Sequence, residues 1–179
     1  MNEARLNVQT LIRKCDLTLN PNLLQTPGFS LVLCSMVTTA GYSGTPLLKK
    51  LGIKKEMKIL LLNEQAYYAD LLGKNISDQL CKKNETPDLV HLFAINNKAF
   101  EAAMKKLQAY CKKNPGIGIW VSWYKKSAKI PTDITEDTIR NYALKNDLVD
   151  VKVCAVSDRW SGLKLVVPLI NRDKFRMII

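Results

Sequence analysis

From Met36 onward, short and nearly continuous apolar runs recur along the chain. Such runs are typical of strands that are covered on both faces, as in parallel α/β sheets. Two apolar runs near the C-terminus are separated only by residues 157–162, a spacing that predicts an antiparallel hairpin. The predicted strands are 57–62, 88–94, 116–123, 150–156 and 163–169, with a weaker strand signal at 75–81.

Helical signals fill the segments between these runs. Thr45, Asn63 and Thr135 are residues of the type that caps a helix N-terminus, and glycines follow the first two segments where a helix would end. The clearest helical pattern has apolar residues at steps of three and four and ends in two lysines, which suit the helix dipole. The predicted helices are 46–51, 63–72, 98–113 and 135–145.

This alternation of strands and helices predicts one α/β domain over residues 36–179. We expect an open, mostly parallel Rossmann-like sheet with helices on both faces and a C-terminal antiparallel hairpin. An antiparallel last strand is the arrangement of methyltransferase-like Rossmann folds. Residues 1–35 lack this patterning and the layout of a signal peptide, so we predict that they are a non-native or disordered extension and that the native start is Met36.

Several sequence blocks are distinctive enough to suggest a family. They lie between Thr39 and Val167, and they are GYSGTPLLKKLGI, KILLLN, LVHLF, WVSWYKKS, TDITEDTIR and VDVKVCAVSDRWSGLKLV. Together they resemble a small bacterial family that shares a domain of unknown function, the DUF-3052 group. The family begins close to the position of Met36, and the resemblance implies no reaction, cofactor or partner.

The chain is strongly basic, with 27 Lys and Arg against 16 Asp and Glu and a net charge of +11. Such a charge favours an anionic partner, nucleic acid included. Only six of the basic residues are Arg, the residue preferred for contacts with phosphates and base edges. Dispersed lysine pairs are more typical of a solvated surface, so nucleic-acid binding is an alternative that the sequence does not favour.

The five cysteines are widely separated, with no CxxC pair and a single histidine in the chain. This pattern does not indicate a zinc site, and it fits reduced thiols in a cytoplasmic protein. No apolar run approaches the roughly 18 residues of a membrane-spanning helix. We therefore predict a cytoplasmic protein with no metal site and no membrane segment.

A lysine-rich loop follows the third predicted strand, at the edge of the sheet where ligands bind in α/β folds. Its cations and hydroxyl, together with the N–H groups of the next helix, predict a site for a small anionic ligand. The alternatives are a solvated loop and tryptophans that pack in the core. The candidate ligand-binding residues are Trp123, Lys125, Lys126, Ser127, Thr135 and Trp160.

The turn after the first strand, residues 63–67, contains no glycine and includes Glu64. A loop that cradles a dinucleotide or S-adenosylmethionine normally needs glycines, and an acidic side chain repels phosphate. His91 lies in the middle of a predicted strand, which favours a structural role over a general base. The sequence therefore carries no catalytic signature.

We predict a non-enzymatic or vestigial Rossmann-like protein that needs no cofactor and binds a small anionic ligand. A divergent S-adenosylmethionine-dependent methyltransferase and a basic nucleic-acid-binding module are the two alternatives. Whether the chain is an enzyme, and its oligomeric state, are left open by the residues.

Overall fold

The computed structural model describes residues 44–82 and 85–176, all within the unit that spans 36–179. The predictions for residues 1–35 and for Met36 as the start lie outside the described residues. The strands in the described part are β1 (Ile59–Leu62), β2 (Leu89–Phe93), β3 (Gly118–Tyr124), β4 (Val149–Ala155) and β5 (Trp160–Val166). The α-helices there are α1 (Leu47–Leu51), α2 (Tyr68–Leu72), α3 (Asn97–Lys113), α4 (Glu136–Lys145) and α5 (Arg172–Arg176).

These strands form one sheet in the order β1-β2-β3-β5-β4. The first three strands are parallel to one another, and β5 is antiparallel to both of its neighbours, β3 and β4. The reversed strand β5 is therefore inserted between β3 and β4, which run in the same direction. This mostly parallel sheet with one reversed strand confirms the predicted fold class, an open Rossmann-like α/β sheet with a C-terminal antiparallel hairpin.

Helices cover both faces of the sheet. One layer consists of α1 and α2, whose buried residues are Leu47, Leu51, Tyr68 and Leu72. The other consists of α3 and α4, with α5 packed beside them, and its buried helical residues are Phe100, Met104, Leu107, Cys111, Ile139 and Ala143. The core is thus divided by the sheet into two separate clusters.

The two long helices begin where capping residues satisfy their free N–H groups. The Asn96 side chain accepts a hydrogen bond from the Ala99 N–H at 2.8 Å, and Thr135 Oγ1 accepts from the Thr138 N–H at 3.2 Å. The Thr135 cap was predicted. The prediction of a helix at 98–113 is also confirmed, because α3 differs from it only by starting one residue earlier.

The two short helices begin later than predicted. Thr45 is not the N-cap of α1, because Pro46 occupies that position and offers no side-chain acceptor. Asn63 does not cap α2, which starts only at Tyr68. Asn63 instead adopts a left-handed conformation with φ of 53°, and its amide donates to the Phe93 carbonyl on the neighbouring strand.

Two further differences concern weak or absent signals. The strand predicted at 75–81 is replaced by a 3-10 helix, Ser77–Gln79, and a single parallel bridge that joins Leu80 to Ile59. Helix α5 was not anticipated. It is held by an exposed ion pair from Lys174 to Asp147 and by the packing of Phe175 on the α3–α4 layer.

Candidate functional site

The carboxyl ends of β1, β2 and β3 meet at one edge of the sheet, and the β4–β5 turn returns to the same edge. Open α/β sheets bind ligands at this edge, next to the point where the strand order reverses. Here the chain leaves β1 for the Leu80 bridge on one side and then returns to β2 on the other. The topological switch point therefore lies between the ends of β1 and β2.

A side-chain hydrogen bond crosses this switch point. Asn63 Nδ2 donates to the Phe93 carbonyl at 3.3 Å, which joins the end of β1 to the end of β2. The Gln65 amide donates in turn to the Asn63 carbonyl at 3.2 Å. The first bond joins two strand ends, and the second stabilises the turn after β1.

Aromatic rings fill the space next to the switch point. Trp160 is fully buried, and the ring of Tyr124 stacks on it with centroids 4.0 Å apart. Phe93 meets Trp160 edge-on at 5.1 Å, and the Trp160 indole N–H donates to the Tyr67 hydroxyl at 3.2 Å. Trp160 is thus enclosed by other aromatic residues, and its indole nitrogen already has a partner.

An open cleft of about 660 Å³ lies one strand further along, at the ends of β2 and β3. Its wall combines apolar, aromatic and polar side chains, and Ile95 is 46% exposed there. The lining residues are Ile95, Asn96, Tyr124, Pro131, Thr132 and Asp133. Among the described residues, this cleft is open to solvent at the carboxyl edge of the sheet.

Hydrogen bonds hold the far wall of the cleft against the end of β2. Asp133 Oδ1 accepts from the Asn97 N–H at 2.8 Å, where the positive end of the α3 dipole stabilises a carboxylate. Thr132 Oγ1 donates to the Ile95 carbonyl at 3.2 Å and accepts from the Ile134 N–H. These bonds join Thr132 and Asp133 to residues 95–97, which follow β2.

The sequence-predicted lysines divide into two groups. Lys125 Nζ donates to the Ser157 carbonyl at 2.7 Å, so this ammonium ties the loop to the β4–β5 turn. Lys126 and Ser127 are exposed on a 3-10 helix, Lys126–Ala128, within the segment that connects Tyr124 to Asp133. Neither residue lines the cleft, but both lie in the chain between the lining residues Tyr124 and Pro131.

The two predicted tryptophans lie on opposite faces of the sheet. Trp123 is 7% exposed and packs in the α3–α4 cluster, whereas Trp160 packs in the α1–α2 cluster. Thr135 caps α4 with its side chain, and the first turn of that helix carries Glu136 and Asp137. These carboxylates disfavour an anion at this helix N-terminus because they already occupy its positive end.

His91 lies in a fully buried polar chain beneath α2. The Tyr68 hydroxyl is 2.8 Å from Nδ1, and the Ser122 hydroxyl is 2.7 Å from Nε2, so a neutral ring accepts from one and donates to the other. Burial lowers the pKa of His91 to about 3. Burial, aided by Glu64, raises the pKa of Tyr68 above its usual value. The structural role predicted for His91 is confirmed.

Sequence reasoning missed most of the cleft residues. Ile95, Asn96 and Asp133 carry no motif, and Pro131 and Thr132 read as ordinary loop residues. The one available signal was a pair of asparagines directly after a buried strand, a position where N-caps and ligand contacts both occur.

The remaining candidate chemistry is limited. Within residues 44–82 and 85–176, no group of three or more His, Cys, Asp or Glu side chains could hold a metal ion. In the same part of the chain, no helix is long and apolar enough to cross a membrane. Cys81, Cys111 and Cys154 are free thiols. The cytoplasmic location stays a prediction.

No protein-family model and no curated protein matches this chain, so the resemblance to the DUF-3052 group stays a prediction. Solved structures are similar to it at low identity. An uncharacterized protein from Listeria monocytogenes serotype 4b is 9% identical, with a TM-score of 0.45 over 68% of this chain and 66% of that one. Thus this chain spans just under two thirds of the Listeria protein.

Two of the similar structures are methyltransferases. The ribosomal protein L11 methylase from Lactobacillus delbrueckii subsp. bulgaricus is 13% identical, with a TM-score of 0.45 over 68% of this chain and 74% of its own. The tRNA methyltransferase TrmK from B. subtilis is 8% identical, with a TM-score of 0.44 over 72% and 67%. These values carry no statement about activity, and the fold assignment rests on the strand order observed here.

Proposed function

We propose that this chain is a binding protein for a small, flat ligand that carries an anionic group. The ligand would occupy the cleft at the ends of β2 and β3. The observation that carries the proposal is the contrast at one sheet edge: Asn63 bridges the switch point, while the neighbouring cleft of about 660 Å³ is open.

The cleft lining suits a flat ring with N–H groups at its edge. Ile95, Pro131 and the Tyr124 ring supply apolar and aromatic surface for stacking. Asn96 uses its side-chain oxygen to cap α3, which leaves its amide nitrogen as a donor. Asp133 uses Oδ1 at the α3 N-terminus, which leaves Oδ2 as an acceptor for a ligand N–H.

The anionic group of the ligand would be held by Lys126 and Ser127. Both are exposed, and neither is needed to tie the loop down because Lys125 performs that role through Ser157. An ammonium and a hydroxyl together are a common pair of donors to a phosphate or carboxylate. The ring and the anion would then be recognised by separate parts of the same loop.

This function requires no bond-making step. The pKa of the single histidine is lowered by burial, and its ring is enclosed by Tyr68 and Ser122, so it has no route to a ligand in the cleft. The switch point, which would bind the nucleotide in a working Rossmann enzyme, is spanned by side chains. We therefore interpret the fold as a vestigial or non-enzymatic member of its class.

A titration with three matched probes tests this function. Adenosine monophosphate supplies a ring with an anion, adenosine supplies the ring alone, and inorganic phosphate supplies the anion alone. We expect the amide NMR signals of 95–97 and 124–133 to shift most with the monophosphate. Replacing Lys126 and Ser127 with Ala should lower the affinity for the monophosphate about tenfold and leave the affinity for adenosine unchanged.

The control variant replaces Lys55, an exposed lysine in the loop after α1, with Ala and should bind all three probes normally. Asp133→Asn keeps an acceptor for the Asn97 N–H but alters the contact to a ligand N–H. This variant should therefore lower the affinity for the monophosphate and for adenosine equally. Shifts confined to residues outside the cleft, or no shift at millimolar probe, would contradict the proposal.

A second candidate function is S-adenosylmethionine-dependent methyl transfer. The observation that favours it is the strand order, because β5 is reversed between β3 and β4 as in methyltransferase-like Rossmann folds. Calorimetry with S-adenosylmethionine and S-adenosylhomocysteine separates the two candidates. Micromolar binding that moves the signals of 63–67 would favour the methyltransferase, since the ligand would then have opened the Asn63 bridge.

A further inference from the structure

We propose that the solvent side of α3 binds the phosphate backbone of double-stranded nucleic acid, without reading its sequence. Five of the 17 residues of this helix are lysines, and all five lie on its side away from the sheet. They are Lys98, Lys105, Lys106, Lys112 and Lys113, together called the α3 lysine row. This surface is separate from the cleft and independent of what the cleft binds.

The helical repeat places the row opposite the buried side of α3. Phe100, Met104, Leu107 and Cys111 face the sheet and are at most 2% exposed. At 3.6 residues per turn, all five lysines fall within an arc of about 120° centred on the opposite direction. The row extends about 21 Å from Lys98 to Lys112 at a rise of 1.5 Å per residue.

The charge of the row is not neutralised by neighbouring acids. None of its five lysines makes an ion pair within 4 Å to any other residue in the described ranges. Glu101 is the one acidic residue of α3, and Ala102 and Ala109 lie between the lysines on the same side. The ammonium groups are therefore available to an external anion.

The shape and chemistry of the row favour nucleic acid over a membrane. A helix that lies in a membrane surface needs an exposed apolar side, whereas the apolar side of α3 is buried against the sheet. An elongated patch of positive charge suits a duplex, each strand of which carries one phosphate per about 3.4 Å of the duplex axis. The small side chains of Ala102 and Ala109 between the lysines allow the phosphate backbone of the duplex to approach the helix closely.

The lysine composition also sets the type of binding. Lysines without arginines contact phosphates as point charges and supply little base recognition. We therefore expect affinity in the range of about 10⁻⁴–10⁻⁶ M near physiological salt, with no preference between sequences. If all five lysines meet phosphates, affinity for a DNA duplex should fall roughly 500-fold between 50 and 200 mM salt.

The experiment measures binding of a labelled mixed-sequence DNA duplex by fluorescence anisotropy over a series of salt concentrations. The test variant replaces Lys105, Lys106 and Lys113 with Gln. The matched control replaces Lys54, Lys55 and Lys74, exposed lysines on the α1–α2 side, with the same residue. All six positions are exposed, and circular dichroism checks that each variant is folded.

We expect the test variant to reduce the fall in affinity between 50 and 200 mM salt from roughly 500-fold to roughly tenfold. The control variant should keep a steep salt dependence. The proposal is overturned if the duplex does not bind, if both variants lose affinity equally, or if vesicles of anionic lipid bind the row and the duplex does not. An RNA duplex of the same length should behave like DNA, because the phosphates supply the contact.

Discussion

The two helical layers cover the same sheet by different means. In the α3–α4 layer, helices of 17 and 10 residues bury only apolar side chains. In the α1–α2 layer, each helix has five residues, and the buried surface includes His91, Ser122 and the indole of Trp120. The first layer packs through the apolar sides of long helices, whereas the second adds buried hydrogen bonds to its apolar packing.

The hydrogen bonds of the α1–α2 layer connect its helices to particular strands. Trp120 Nε1 donates to the Leu51 carbonyl at 2.9 Å, which fixes the end of α1 over β3. The Tyr68 hydroxyl meets His91, which fixes the start of α2 over β2. Helices of five residues are too short to be stable alone. The stability of α1 and α2 therefore depends on these contacts and on the packing around them.

The strongest test of the apolar layer removes the buried aromatic ring that α3 contributes to it. Phe100 of α3 is fully buried between this helix and the sheet. Phe100→Ala should lower the free energy of unfolding by about 3–5 kcal/mol, because apolar burial is lost and a cavity is left. Urea unfolding at neutral pH measures the change. A loss below 1 kcal/mol would show that α3 does not hold this layer together.

The strongest test of the polar layer is a change of pH. The folded-state pKa of His91 is about 3 and lies below its unfolded value near 6.5, so the unfolded state binds more protons between these limits. Stability is therefore retained above pH 6.5 and lost as the pH falls toward 3. The loss between pH 7 and pH 4.5 should be roughly 2–3 kcal/mol by urea unfolding.

NMR provides a separate check on this pH effect. The chain contains one histidine, so its ring signals are unambiguous. In the folded protein these signals should not titrate between pH 7 and pH 4.5. A midpoint near 6.5 would mean that the ring is accessible and that the polar layer is open to water.

A matched pair of glycines tests how tightly the polar layer is packed. A Cβ on Gly162 would lie 2.9 Å from Val156 Cγ2, so Gly162→Ala should cost about 1–3 kcal/mol of stability. A Cβ on Gly118 would meet only the flexible end of Lys164, so Gly118→Ala should be nearly neutral. Thermal unfolding of both variants measures the difference, and equal losses would contradict the packing described here.

The smallest expected effect concerns the start of α4. Thr135→Ala removes the acceptor for the Thr138 N–H and should cost about 1 kcal/mol. Thr135→Asn, which restores an acceptor, should recover most of the loss in urea unfolding. If Ala and Asn at this position behave alike, the cap does not contribute to the stability of the α3–α4 layer.

The sequence predicted the α3–α4 layer well because its signals are local and repeated. The apolar steps of α3 and the Thr135 cap each depend on residues within a few positions of one another. The short helices gave only single-residue signals, and their starts were less accurate: α1 begins one residue later than predicted, and α2 begins only at Tyr68. Thr45 and Asn63 are acceptable caps by type, but Pro46 and the bond from Asn63 to Phe93 determined where the helices begin.

The candidate site shows the same limit. Sequence reasoning found the lysine-bearing loop, because adjacent cations after a buried strand are a local pattern. It did not find that Lys125 is bound to Ser157 or that Trp123 and Trp160 lie on opposite faces. Those facts depend on strands that are far apart in the chain and adjacent only in the sheet.

The sequence by itself therefore determined the fold class, the two long helices and the terminal hairpin, since hydrophobic periodicity and capping are properties of neighbouring residues. Only the tertiary structure decided that Asn63 bridges the switch point and that the cleft beside it is open. These features depend on side chains brought together by strand order and helix packing, which no short stretch of the sequence specifies.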